Sequence, residues 1–234
     1  MALYLPELSP TSLQFPHPTQ ALTEPNGLLA FGGDLSPERL IAAYRQGIFP
    51  WFSLGEPILW WSPAPRTVFI CEQYAPSRST RRFQNKHNYR VTINYAFDQV
   101  IDLCADTRGI EETWISAEMK TAYKQLHQLG HAHSVEVWKD EQLVGGMYGI
   151  GIGQLFCGES MFSLADNASK IALWYFNQHF VRCGGQLLDC QVMNPHLASL
   201  GAVKIDQAAF LDAIAQLQAM PLADHCFKKQ VLSL

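Results

Sequence analysis

Several features are missing from this sequence, and each absence narrows the reading. Six cysteines occur among 234 residues, yet no two of them form a C-x-x-C pair. Scattered through mostly apolar stretches, they point to buried reduced thiols and away from a disulfide framework or a zinc site. No uninterrupted apolar run approaches the roughly 20 residues that a membrane-spanning helix needs. The amino terminus, MALYLPELSPTSLQF, has no basic segment leading into an apolar one. The expectation is a cytoplasmic protein with no membrane partner. No G-x-S-x-G elbow, Walker loop, internal repeat or low-complexity tract is present. GIGIG at 149–153 has glycines at period two, continues into QLFC and opens no helix, so it is not a dinucleotide fingerprint. Glycines so spaced suit a strand that another backbone, or a ligand, approaches closely. The two histidines of HAHS (131–134) have no third ligand in sight, so no metal is expected.

What is present is an ordinary globular composition, with 48% apolar residues, enough for a sizeable core, and a net charge of −4. That balance argues against a protein that coats nucleic acid non-specifically, but the charge is unevenly placed. From Tyr74 to Phe97 there is no acid, while Arg78, Arg81, Arg82, Lys86 and Arg90 accumulate. With Ser77 as a helix cap, Arg78, Arg81, Arg82 and Lys86 fall at i, i+3, i+4 and i+8, on one face. Such a face can track phosphates or can simply be solvated.

The first 60 or so residues, rich in Pro and Gly, contain one clear helix, with Ser36 as N-cap, Pro37 at N1 and Gly47 as its stop, and otherwise read as a small loop-rich module. From about Thr67 strands and helices alternate. TVFI is followed by the basic helix, by the strand YRVTINYA, and by a helix from Ser116 to Leu129 closed by Gly130. Residues 133–162 read as an antiparallel meander turning first at KDEQ. A long helix, NASKIALWYFNQHFVRC, ends at Gly184 and Gly185 and delivers the chain into a strand. A last amphipathic helix follows Asp206, with Phe210, Leu211, Ile214 and Leu217 as its stripe. The domains are expected at 1–65 and 66–234. The strand, hairpin, helix, strand rhythm of the second resembles GNAT-type N-acyltransferases, so the fold class expected is α+β: a small amino-terminal domain plus a GNAT-like mixed-sheet domain flanked by helices. The glycine-rich loop with which such enzymes hold coenzyme A pyrophosphate is absent.

Within LLDCQVMNPHLASLGA (187–202) an acid and an amide interrupt a core-like strand. Alternation places Asp189 and Gln191 on one side, where the pair either satisfies itself structurally or faces a cavity. Glu159, in FCGESMF, is a second acid in an apolar, glycine-flanked strand. Trp51, Trp60, Trp61 and Trp114 sit in loop-like contexts. They can be core residues or, beside a basic helix, stacking platforms for unpaired bases.

Read whole, EPNGLLAFGGDLSPERLIAAYRQGIFPWF, ILWWSPAPR, TWI, LGHAHSVEVW, LVGGMYG, LFCGESMFS, NASK and the LDCQV…N.H..SLGA stretch closely resemble the leucyl/phenylalanyl-tRNA–protein transferase family, from about residue 15 to 205. The resemblance implies a GNAT-like domain that receives an aminoacyl-tRNA in place of an acyl-CoA. Leu, Phe or Met would pass to proteins with amino-terminal Arg or Lys, marking them for degradation. It further implies that Trp51 and Trp114 hold the terminal adenosine, and that Met147, Phe156, Leu173, Phe176 and Leu188 line the aminoacyl pocket. Asp189 and Gln191 would be the catalytic pair, and Glu159 and Asn194 would lie in the acceptor site. Two departures are an acidic RGIEETWI before Trp114 and a Pro195 that restricts Asn194 to an extended conformation.

An aminoacyl ester is already activated, so transfer to an amine requires neither ATP nor metal, and no cofactor is expected. The amine titrates near pH 8 and must be deprotonated and positioned. Asp189 would orient Gln191, whose carbonyl accepts a hydrogen bond from the attacking nitrogen. An acidic site would suit cationic acceptors. Two other readings are an acyl-CoA-dependent N-acyltransferase and a non-catalytic single-stranded RNA-binding module.

Overall fold

The structure is a computed structural model that describes residues 5–107 and 114–234. In chain order its elements are β1 (Glu7–Leu8), β2 (Leu28–Gly32), α1 (Pro37–Tyr44), β3 (Phe49–Pro50), β4 (Leu59–Trp61), β5 (Arg66–Ile70), α2 (Arg78–His87) and β6 (Arg90–Ile93). Next come α3 (Phe97–Asp106), α4 (Ala117–Gln128), β7 (Ala132–Lys139), β8 (Gln142–Ile152), β9 (Leu155–Ser163) and α5 (Ala168–Arg182). The chain closes with β10 (Leu187–Asp189), α6 (Pro195–Ser199), β11 (Val203–Ile205), α7 (Gln207–Leu217) and β12 (Gln230–Val231).

Two sheets result, the fold class being α+β with mixed sheets flanked by helices. The first has four short strands in the order β1-β2-β4-β3, and the second eight, β11-β5-β10-β9-β8-β7-β6-β12. The amino-terminal stretch is thus less loop-like than its Pro and Gly content suggested, because β-bridges between segments only two to five residues long leave no period to read. Trp60 and Trp61 belong to β4, and Trp60 is fully buried with its Nε1 donating to the Gly32 carbonyl at 2.9 Å. That corrects the expectation of a loop platform at Trp60. The helix capped by Ser36 is found, with the Ser36 hydroxyl accepting from the Arg39 amide.

In the large sheet the meander β7-β8-β9 turns at Asp140 and Glu141, both left-handed, as KDEQ indicated. α5 then carries the chain from β9 across to β10, which pairs in parallel with β9. β6 ends at Ile93, three residues before the expected end of its strand, because Asn94 is left-handed (φ 57°). α3, a helix absent from the expected elements, follows and buries Val100, Ile101 and Cys104. One apolar cluster runs from the small sheet (Leu29, Trp60) through α1 to β5, α3, α4 and α7 (Phe210), while a second lies between the large sheet and α5.

Candidate active site

The parallel pair β9/β10 sets up the site. Their last rung is Cys157 opposite Asp189; β10 stops there while β9 runs on to Ser163. A cleft of about 640 Å³ opens where the strands part.

The expected strand from Leu187 to Met193 lasts only three residues, which corrects the face assignment of Asp189 and Gln191. Gln191 is left-handed, with φ 56°, and the turn is held by the Asp189 carboxylate, whose Oδ1 accepts the Gln191 backbone N–H at 3.0 Å. Asp and its neighbours favour such local turns, since a short acceptor reaches a backbone donor two residues on. Asp189 is 0% exposed and lies beneath the cleft floor, whereas Gln191 lines the cleft itself.

Beneath that floor Asp189 meets Arg66, the first residue of β5. The guanidinium is 1% exposed and bidentate: Nε to Oδ1 at 2.8 Å and Nη2 to Oδ2 at 2.7 Å. Its Nη1 donates to the Gly47 carbonyl at 3.0 Å, and its plane lies over Phe49 and Phe210 at 5.0 and 4.5 Å from the ring centroids. Burial opposes the Arg66 charge, but attraction from Asp189 prevails and raises its pKa. Gly47 is required here: it is left-handed, and a Cβ on it would come within 2.9 Å of Phe210. Arg66 thereby joins the turn after α1, the large sheet and α7. Arg66 was absent from the expected site, although an arginine opening the apolar strand RTVFI is the counterpart of an acid closing LLD.

Glu159 is delivered by a β-bulge. Tyr148 pairs with Ser160 and Gly149 with Gly158, so Glu159 is the extra residue between them, turned out of the ordinary alternation and into the cleft. Its Oε1 accepts from Gln191 Nε2 at 3.3 Å and its Oε2 from the Tyr123 hydroxyl at 3.2 Å. Tyr123 is in turn bonded to the hydroxyl of Tyr44, on α1. Burial pushes the Glu159 carboxyl up to about 8; hydrogen bonding to Tyr44 works against the rise and the Asp189 charge adds to it. The site is therefore less acidic at neutral pH than its two carboxyls suggest. Asp189 is matched by Arg66, and Glu159 is largely protonated.

Around this floor Met147, Phe156, Leu173 and Leu188 form an apolar wall. Phe176, expected in the lining, is fully buried one layer behind, with its ring 4.5 Å from that of Phe156. Trp51 and Trp114 stand at the cleft, Trp51 being 46% exposed with its ring 5.5 Å from Trp61. Residues 108–113, which make RGIEETWI acidic, lie outside the described residues. Asn194 is extended, as a residue before proline should be, and caps α6 by accepting the Leu197 N–H at 2.8 Å. It lines the cleft beside His196. Arg78, Arg81, Arg82 and Lys86 are exposed on α2, and none of them lines the cleft.

The cleft opens where two parallel strands part, is floored by a polar amide and walled by apolar side chains, and the chain's relatives give it a family. A family model described as "Leucyl/phenylalanyl-tRNA protein transferase" matches residues 68–215, and the corresponding N-terminal-domain model matches residues 33–64. A leucyl/phenylalanyl-tRNA–protein transferase of Vibrio atlanticus is 60% identical over 99% of this chain and 98% of its own. That of Photobacterium profundum is 59% identical over 100% and 99%. A solved structure, a conserved protein of unknown function from Bacteroides thetaiotaomicron, is similar at a TM-score of 0.43 with 14% identity, over 68% of this chain and 57% of that one. The protein is an aminoacyltransferase, with aminoacyl-tRNA as donor and protein as acceptor. It belongs to the leucyl/phenylalanyl-tRNA–protein transferase family.

Proposed function

We propose that the protein moves Leu, Phe or Met from aminoacyl-tRNA to the α-amino group of proteins that begin with Arg or Lys, and so marks them for degradation. The observation that carries this reading is the position of Gln191 between an apolar pocket and the Glu159 carboxyl. An apolar side chain unbranched at Cβ enters against Met147, Phe156, Leu173 and Leu188, with Phe176 backing the wall. The tRNA's terminal adenosine stacks on Trp51 and Trp114, each stack contributing about 1 to 3 kcal/mol. Arg78, Arg81, Arg82 and Lys86 meet the phosphates of the tRNA body.

With Gln191 Nε2 engaged by Glu159, the amide oxygen is left for the incoming amine. It accepts an N–H, turns the nitrogen lone pair toward the ester carbonyl and stabilises the positive charge that develops on nitrogen. Asp189 acts through the backbone: it holds the left-handed turn that aims Gln191, while Arg66 fixes Asp189. Glu159 and Asn194 meet the acceptor; a cationic acceptor side chain favours the ionised form of Glu159, so acceptor binding releases a proton. The described residues contain no helix long and apolar enough to cross a membrane, and the proposed setting is the cytoplasm.

The test is an incubation of purified protein with labelled Phe-tRNA and peptides that differ only in their first residue. Labelling of the Arg and Lys peptides and not of an Ala or Glu peptide is expected. Equal labelling of all four would remove the acceptor assignment.

A further inference from the structure

At the far end of α5, away from the cleft, soft side chains converge that the transfer site does not use. His179 lies on α5 and Cys183, four residues on, is its C-cap in helical conformation, so the two share a face. After α7 the chain returns to this face, the Ala223 N–H donating to the Cys183 carbonyl at 2.9 Å, and that contact brings His225 and Cys226 over it. The ligand atoms of His179, Cys183 and Cys226 lie within 4.8 Å of one another, and all three residues are buried. Cys183 Sγ is 3.7 Å from His179 Nε2 and 3.6 Å from His225 Nε2. In a tetrahedral zinc site, with Zn–S near 2.3 Å and Zn–N near 2.0 Å, neighbouring ligand atoms stand about 3.3 to 3.8 Å apart. A reduced thiol packed as a small apolar group does not need two imidazole nitrogens within 3.7 Å of it, since a thiol is a poor hydrogen-bond partner, although the shorter contact of His179 is with the Cys226 carbonyl.

We infer that His179, Cys183 and Cys226, closed at the rim by His225, bind a zinc ion that staples the carboxy-terminal segment to α5. The motif is H-x-x-x-C on one helix and H-C about forty residues later, which no search for C-x-x-C pairs detects. Binding gives up one contact, the bond from His179 Nε2 to the Cys226 carbonyl, now 2.7 Å. The imidazole keeps its single proton, on Nδ1, and the two thiols each lose theirs, so two protons leave for each zinc bound. The site's place in the fold is structural. The first half of α5 supplies Ser169 and Leu173 to the cleft wall, and the metal secures the end of that helix.

Untagged protein, expressed with zinc in the medium and dialysed in metal-free buffer with a reductant, should carry about one zinc per chain by elemental analysis. Cys183→Ser and Cys226→Ser should carry none. Since those variants can fail to fold, the intact chain is also stripped of metal and titrated with Co2+. A thiolate-to-cobalt charge-transfer band with intense visible bands of tetrahedral cobalt is expected, saturating at about one equivalent. His225→Ala, at an exposed position, should weaken zinc binding by about tenfold or more while the protein melts normally in chelator. A reduced chain that holds no zinc and shows no charge-transfer band with Co2+ would overturn the inference. So would a thiol count two short of six in metal-free protein, which would mean that Cys183 and Cys226 form a disulfide.

Discussion

Arg66 and Asp189, 123 residues apart in sequence, meet in a bidentate ion pair of 2.7 and 2.8 Å that is sealed from solvent beneath Gln191. Removing either partner strands a buried charge, whereas removing both does not. Arg66→Met and Asp189→Leu should each lower unfolding stability by about 3 to 5 kcal/mol. The Arg66→Met/Asp189→Leu double variant should be destabilised by much less than the sum, as chemical denaturation of the set will show. Additive losses would mean that the two residues do not stabilise as a pair.

The raised pKa of Glu159 gives stability a pH dependence. Protons bind the folded carboxyl more tightly than the unfolded one, so the contribution is fully present below about 4.5 and is lost as pH rises through about 8. Glu159→Gln removes this titration. The melting temperature of the variant relative to the parent should therefore climb between pH 5 and pH 8, in differential scanning calorimetry at constant ionic strength. A flat difference would place the carboxyl in the ordinary range.

Selection among donors should rest on the apolar wall. A pocket shaped for Leu, Met and Phe has length but little width near Cβ, and one methyl group discriminates by about 1 to 3 kcal/mol. Leu-tRNA should therefore outpace Ile-tRNA by at least about tenfold, and Met147→Ala should narrow that gap. Comparable rates with the two donors in the parent enzyme would contradict the assignment of Met147 and its neighbours to the pocket.

The exposed basic face of α2 should serve the tRNA body and not the ester. Reversing Arg81 and Arg82 together to Glu should weaken use of Phe-tRNA by about tenfold or more and flatten its salt dependence, with little effect on a short phenylalanyl-adenosine donor. Equal losses on the two donors would put these arginines outside the tRNA path.

How much of this was legible in the sequence follows from the range of each interaction. The caps at Ser36 and Ser77 and the turn at Asp140 are local, and residue type and spacing are enough to place them. Asp189, Gln191 and Glu159 drew notice because polar groups in apolar runs need a reason. Their geometry did not follow: the bulge that turns Glu159 and the left-handed Gln191 both break the alternation on which a strand reading depends. Arg66, Tyr44 and Tyr123 stayed hidden because each acquires its role from a partner far along the chain. Phe176 shows the same limit in reverse, since periodicity puts it on the buried face of α5 but cannot tell a pocket's lining from the layer behind.

The central claim is that Gln191 handles the incoming amine and that Asp189 serves it from below. It is tested most directly by single-turnover transfer of labelled Phe from tRNA to an Arg-initiated peptide, measured for Gln191→Ala beside its thermal unfolding. The account predicts a rate lower by about 100-fold or more, with tRNA affinity and melting temperature near those of the parent. A folded Gln191→Ala enzyme that transfers at the parent rate would contradict it.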